Sequence, residues 1–219
     1  MRMGEADRNV GKKYTRLALL GFAGGTLPDL LAEPTQMLIV GINPGLLSVA
    51  VQAHFAPRSN RFYKALHLAG ITDRVIDASE GFESSDIDHL RRRGIGITSM
   101  VRGASARASD LTAEELRAGG KELRRRVSEI RPRVVAMLGV SAYRIAFDEP
   151  SASVGLQSAP LGGPEIWVVP NPSGLNRRYS VSDLAHAYRQ VALRAGIEPF
   201  ERSGHRVDDG CDKLRAMNP

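Results

Sequence analysis

Four short runs, Met37–Ile42, Ile95–Val101, Val134–Gly139 and Ile166–Pro170, are mostly apolar and mostly rich in β-branched residues. Runs of this length that stay apolar on successive positions read as strands buried on both faces of a parallel sheet. Between them the period becomes helical. Asn60–Ala69 places Phe62, Leu66 and Ala69 on one stripe. Thr112 followed by Glu115 forms a capping-box signature, because hydroxyl and carboxylate can each satisfy the other's backbone N–H. The helix it opens carries Leu116, Leu123, Val127 and Ile130 along one face, with Arg124-Arg125-Arg126 largely outward. Ser182–Ala195 repeats the pattern with Leu184, Tyr188, Val191 and Ala195. Strands alternating with helices predict an α/β fold, a three-layer α/β/α sandwich around a short, mainly parallel central sheet.

The ends differ from this middle. Residues 1–34 begin with a basic lead (Arg2, Arg8, Lys12, Lys13, Arg16) and continue through Leu-rich and Gly-Gly punctuation. They are expected to form an extension with one short helix, loosely attached to a domain spanning 35–199. Residues 200–219 are polar or charged without periodicity and read as a weakly packed tail. With 219 residues and 42% hydrophobic content the chain can bury one ordinary core. A formal charge of +6 favours an acidic partner such as nucleic acid, while saying nothing about fold. The one cysteine, Cys211, cannot build a disulfide framework or a thiolate metal site, and the five histidines lack ligand spacing. No metal and no cofactor is expected. The longest apolar run, near residues 17–25, is too short to cross a bilayer, and no signal-peptide pattern precedes it. A cytoplasmic monomer with no membrane association and no obligate protein partner is the expectation.

Two loops carry the candidate chemistry. Gly41-Ile42-Asn43-Pro44-Gly45 follows one strand, and Asn171-Pro172-Ser173-Gly174-Leu175-Asn176 follows another. In open α/β sheets, ligands collect beyond the carboxyl ends of strands, so both turns could face one cleft. Gly41 and Gly45 permit close approach of backbone to ligand, and Pro44 stiffens the turn. The Asn43 carboxamide has no useful basicity, yet its oxygen can accept a hydrogen from water and aim that water at an electrophilic carbon. An Asn-Pro pair also simply initiates turns, and the first loop alone does not separate these readings. In the second loop Leu175 sits among polar neighbours, followed by Arg177 and Arg178. It is either a buried anchor or an apolar wedge that fills the gap left by a displaced base while arginines bind phosphate.

The residues Gly41-Ile42-Asn43-Pro44-Gly45-Leu46, then Phe55-Ala56 and Asn60-Arg61-Phe62-Tyr63, resemble the mismatch-specific uracil-DNA glycosylases. These are bacterial relatives of thymine-DNA glycosylase in the uracil-DNA glycosylase superfamily. Residues 171–177 resemble that family's second motif, and the likeness continues through 113–120 and 138–143, covering roughly 35–196. The resemblance implies that Asn43 positions the attacking water and that the flipped base stacks on Phe55. It further implies a base pocket of Ile42, Gly45, Ser48, Phe55 and Asn171, with backbone near Ile42 and Phe55 bonding the pyrimidine edge. Leu175 becomes the wedge, Gly174 and Asn176 read the orphaned guanine through their backbone, and Ser173, Arg177 and Arg178 contact phosphate. Bacterial members often carry Ser where this chain has Asn176, and residues 49–54 also depart from common versions.

The expected partner is double-stranded DNA with a G:U or G:T mismatch, met at the nucleoid. The expected activity is monofunctional, since neither loop offers a Lys for a Schiff base. It should also be slow, since the loops lack the Asp and His that add charge stabilisation in other uracil glycosylases. Thr98–Arg102 is a further segment that could line the cleft, and Arg102 and Arg107 are further phosphate contacts. The arginine runs 91–93 and 124–126 are read as solvated faces. Two other readings compete: a lesion-binding module that does not cut, and a phosphate-binding α/β enzyme using residues 41–45 as its cradle. The second lacks both the Gly-x-Gly-x-x-Gly fingerprint and a phosphate-loop Lys-Ser/Thr.

Overall fold

The computed structural model describes residues 14–158 and 163–200. Its elements run α1 (Arg16–Leu20), β1 (Met37–Gly41), α2 (Leu46–Ala50), α3 (Phe62–Leu68), α4 (Ser84–Arg92) and β2 (Ile95–Ser99). A 3-10 turn (Ala108–Asp110) leads into α5 (Ala113–Ile130), β3 (Val134–Leu138), α6 (Val140–Phe147), β4 (Gly155–Gln157), β5 (Glu165–Val169) and α7 (Val181–Arg194). The sheet order is β2-β1-β3-β5-β4. Every pairing is parallel except β4 with β5.

Successive strand residues point to opposite faces, and the two faces build separate cores. Met37, Ile39, Ile95, Ile97, Val134, Ala136 and Leu138 pack with α3, α4 and α7. Leu38, Val40, Val135, Met137, Ile166 and Val168 pack with α5 and α6. β1, β2 and β3 are buried at every position, which is why their sequences run apolar instead of alternating. The fold is the expected α/β/α sandwich. The Thr112 cap is present as anticipated, with Glu115 N–H donating to Thr112 Oγ1 at 3.1 Å and Thr112 N–H to Glu115 Oε2 at 2.8 Å.

Several elements depart from the pattern reading. β4 is a three-residue edge strand with a mostly exposed or half-buried surface, so it leaves no apolar signature. α4 buries only Leu90 among apolar residues, together with Asp86 and His89, and its helical stripe is correspondingly faint. α6 follows β3 after a single residue, so apolar strand and apolar helix merge into one run, and α2 is a five-residue helix too short to show a period. The expectation of a loosely attached N-terminal segment fails for residues 27–34: Leu27, Leu30 and Ala32 are buried, and Leu30 bridges Ile97 in antiparallel fashion. The polar tail falls outside the described residues beyond Phe200.

The arginine runs are not uniformly solvated. Arg125 is exposed and pairs with Glu122 and Glu129, and Arg124 lies over the Phe147 ring. Arg126 is only 4% exposed, and its guanidinium donates to Thr98 Oγ1, Ser99 O and Met100 O, with Asp29 3.6 Å away. Arg91 and Arg92 close α4, where cations complement the partial negative charge of a helix end. No helix among the described residues is long and apolar enough to cross a membrane.

Candidate active site

The loops after β1 and β5 leave the same end of the sheet, flanking β3 on either side. Two strand spacings put their roots about 10 Å apart. Gly139, at the end of β3, fills the space between them: a Cβ there would sit 3.3 Å from Ile42 Cδ1 and 3.5 Å from Asn171 Nδ2. Its φ of 117° is one that side chains rarely adopt, so both packing and backbone require glycine.

Asn43 is half-buried, and its carboxamide is tied down through nitrogen. Nδ2 donates to Ser105 Oγ at 2.8 Å, to Gly103 O at 3.2 Å and to Pro44 O at 3.2 Å. The two backbone acceptors have no hydrogen to give, so the nitrogen must face them, and Oδ1 is left without a partner among the described residues. A carboxamide fixed this way presents one acceptor of defined direction. Gly45 caps α2 and has nothing within 4 Å of where its Cβ would lie, so the chain beside Asn43 is open.

Phe55 faces this loop across Gly41, whose Cβ would meet the ring at 3.3 Å. The ring packs on Phe62, with centroids 4.0 Å apart and planes at 33°. Its φ is 55°, a conformation that costs of order 1–3 kcal/mol for a non-glycine residue and must be held by neighbours. The neighbours do so on both sides. Tyr63 Oη donates to His54 O at 2.8 Å, and Ala56 N–H donates to Ser48 Oγ at 3.2 Å. Ser48 is itself 2% exposed, so it holds this turn from within and does not face an open cleft. His54 donates Nε2–H to Pro28 O at 3.0 Å, and burial lowers its pKa to about 4, leaving a neutral ring. The Phe55 N–H and C=O make no hydrogen bond among the described residues.

The second loop is a network around one cation that sequence reasoning did not single out. Arg61, at the start of α3, donates through its side chain to Pro172 O, Ser173 O, Asn176 O and Tyr179 O. A positive charge at a helix N-terminus opposes the helix dipole, and that mismatch was the available signal of a tertiary role. Asn171 Oδ1 accepts Ser173 N–H at 2.9 Å, and Asn176 Nδ2 donates to Asn171 O at 3.0 Å. Gly174 lies against the preceding loop so closely that a Cβ would be 2.7 Å from Ser59 O. Leu175 projects from the tip at 79% exposure, which rules out the buried-anchor reading. Asn176 spends both backbone groups internally, N–H to Ser173 O and C=O to Arg61, so the exposed backbone beside Leu175 belongs to Gly174.

Arg177 and Arg178 are exposed beside Leu175, Arg178 lying 5.6 Å from the Tyr179 ring centroid. Arg107 is exposed. Arg102 is paired with Asp29 at 2.5 Å. Thr98, Ser99 and Met100 are buried against Arg126 and form the floor beneath the first loop instead of an open wall. Gly103 and Ser105, which hold Asn43, escaped notice because a small-residue polar loop carries no periodic signal. Among the described residues no group of three or more His, Cys, Asp or Glu side chains is placed to hold a metal ion.

Comparison with known proteins bears on this arrangement. A model of the uracil DNA glycosylase superfamily matches residues 28–194. The solution NMR structure of a candidate uracil DNA glycosylase from Methanosarcina acetivorans superposes with a TM-score of 0.54. At 20% identity over 79% of this chain and 98% of that one, it shares the fold. With the family match spanning most of the chain and both motif loops, the protein belongs to the uracil DNA glycosylase superfamily.

Proposed function

We propose that the protein is a monofunctional DNA glycosylase that hydrolyses the N-glycosidic bond of uracil mispaired with guanine, initiating base excision repair. The observation that carries this reading is the Asn43 carboxamide: both its hydrogens are consumed by protein, leaving Oδ1 to take a hydrogen of a water. On this reading the target nucleotide leaves the duplex, because C1′ is inaccessible in the stack. The cost is a few kcal/mol and is smallest for a mispair, which favours U:G before any pocket contact. Leu175 occupies the vacated space, the Gly174 backbone meets the orphaned guanine, and Ser173, Arg177 and Arg178 lie along the phosphates. The base stacks on Phe55, and the unpaired Phe55 backbone groups bond its edge.

The C1′–N1 bond then breaks and its electron pair leaves with the base. Donors aimed at the pyrimidine oxygens stabilise that anion, each worth about 3 kcal/mol when preorganised. Water held by Asn43 forms the new C1′–O bond, its proton passes to solvent, and an abasic site remains. Asn43 has no charge to offer the cationic sugar, so the reaction is slow. The enzyme acts as a monomer on chromosomal DNA in the cytoplasm. A lesion binder without catalysis would have no use for a carboxamide tethered on one side only. The test is incubation with a duplex carrying one U:G pair, followed by alkali. Strand cleavage at the uracil supports the proposal, binding without cleavage supports the lesion binder, and the absence of both overturns the proposal.

A further inference from the structure

Asn43 is held by a segment that is itself held at every step. After β2, Met100 N–H donates to Gly41 O and Val101 N–H to Ile42 O, both at 2.8 Å, so residues 100–101 extend the pairing alongside the first loop. Ser105 N–H then donates to Pro44 O at 3.3 Å. Its hydroxyl receives Asn43 Nδ2 and donates onward to Arg107 O at 2.7 Å. A hydroxyl that gives its one hydrogen to a carbonyl must present a lone pair to Asn43. The chain of bonds therefore selects one orientation of the carboxamide.

The residue between the two holders is clamped from outside the matched family region. Ala104 N–H donates to Gly25 O at 2.8 Å, and Gly24 N–H donates to Ala104 O at 2.9 Å. Ala104 is buried with Leu27, Leu46 and Val49, and Phe22 packs against that cluster. Residues 14–27 precede the family match, which begins at 28. They nonetheless grip the loop from which Gly103 and Ser105 reach Asn43.

We infer that Ser105 is a positioning residue for the Asn43 carboxamide, and that the N-terminal strap of residues 22–25 keeps it in place. The inference rests on the proposed role of Asn43 and adds how that side chain is aimed. An Asn43 freed of Ser105 can rotate its amide, and a misplacement near 1 Å costs on the order of 100-fold in rate.

The experiment uses the full-length protein and four readouts: single-turnover cleavage of a U:G duplex, affinity for a U:G duplex made non-hydrolysable by 2′-fluoro substitution, the pH profile, and the melting temperature. Ser105→Ala is expected to slow cleavage by about 10- to 100-fold with affinity and melting temperature nearly unchanged. Ser105→Thr, which keeps the hydroxyl, recovers most of the rate. Phe22→Ala slows the same step, and the double variant is no slower than Ser105→Ala alone, because both changes act through one carboxamide. A wild-type rate for Ser105→Ala beside an inactive Asn43→Ala overturns the inference and leaves the proposed function intact. Loss of rate in step with loss of melting temperature, unrescued by threonine, also overturns it. Full activity of Asn43→Ala, or wild-type protein inert on U:G, defeats the functional reading itself.

Discussion

Asn43 shows how one neutral side chain can be given direction. Its nitrogen is saturated by acceptors and its oxygen is not, so on the proposed reading it orients a water without taking a proton. Asn43→Ala is expected to lower single-turnover cleavage of U:G by at least about 100-fold while sparing duplex affinity. A rate within a few fold of wild type in a rapid-quench assay removes Asn43 from the mechanism. His54 makes a different prediction. Its ring is buried neutral, with the pKa lowered from 6.5 to about 4. In the unfolded chain it protonates near 6.5, so below that pH the unfolded state binds the extra proton and stability falls, levelling off near pH 4. The contribution approaches about 3 kcal/mol. Denaturant titrations between pH 7 and 4 are expected to show that loss and to show less of it in His54→Asn.

At the level of elements, the loop after β5 is positioned by α3 more than by its own strand. Arg61 reaches four carbonyls in a fork that lysine cannot reproduce. Arg61→Ala is expected to cost about 2 kcal/mol, which for a chain of this size lowers the melting temperature by about 4–8 °C. The same change should cut activity, because Leu175 and Gly174 lose their platform. An unchanged melting curve would show that the network contributes nothing. Leu175→Ala is predicted to behave oppositely. The side chain is 79% exposed, so stability stays level, while cleavage of U:A pairs falls further than cleavage of U:G. Matched pairs need the wedge most, since a mispair is already partly released. Equal losses on both duplexes speak against the wedge.

Over the whole molecule, charge divides between the two ends of the sheet. Arg177 and Arg178 are exposed beside Leu175 at the end bearing both loops. Arg91, Arg92, Arg93 and Arg133 border a groove of about 660 Å³ that also contains Glu33, Glu198 and Gly94. That groove sits where β1, β2 and β3 begin, and its arginines answer helix ends and nearby carbonyls, as Arg93 does with Ile71 O and Glu198 O. Duplex affinity is therefore predicted to fall linearly in log–log salt titrations. Replacing Arg177 and Arg178 with Gln should reduce the slope by about 2, and Arg92→Gln should leave it unchanged. A slope that responds to Arg92 alone would move the DNA to the other end.

What the sequence determined by itself was everything with a local cause. Apolar strand runs, the Thr112 cap, the stripes of α3, α5 and α7, and the two Asn-Pro turns depend on neighbours a few residues away, and their periodicity survives in the string. Faint elements escaped because their reasons are tertiary: α4 buries polar Asp86 and His89, and β4 is three residues on an edge. The same division runs through the site. Asn43 and Leu175 announce themselves by residue type at a strand end and a loop tip, and Phe55 only through the family resemblance. Arg61 lies more than 100 residues from the loop it clamps, and Ser105 lies 62 residues from Asn43. Their roles come from parallel β1, β2, β3 and β5 bringing distant loops to one edge, a fact about long-range pairing that no local pattern carries.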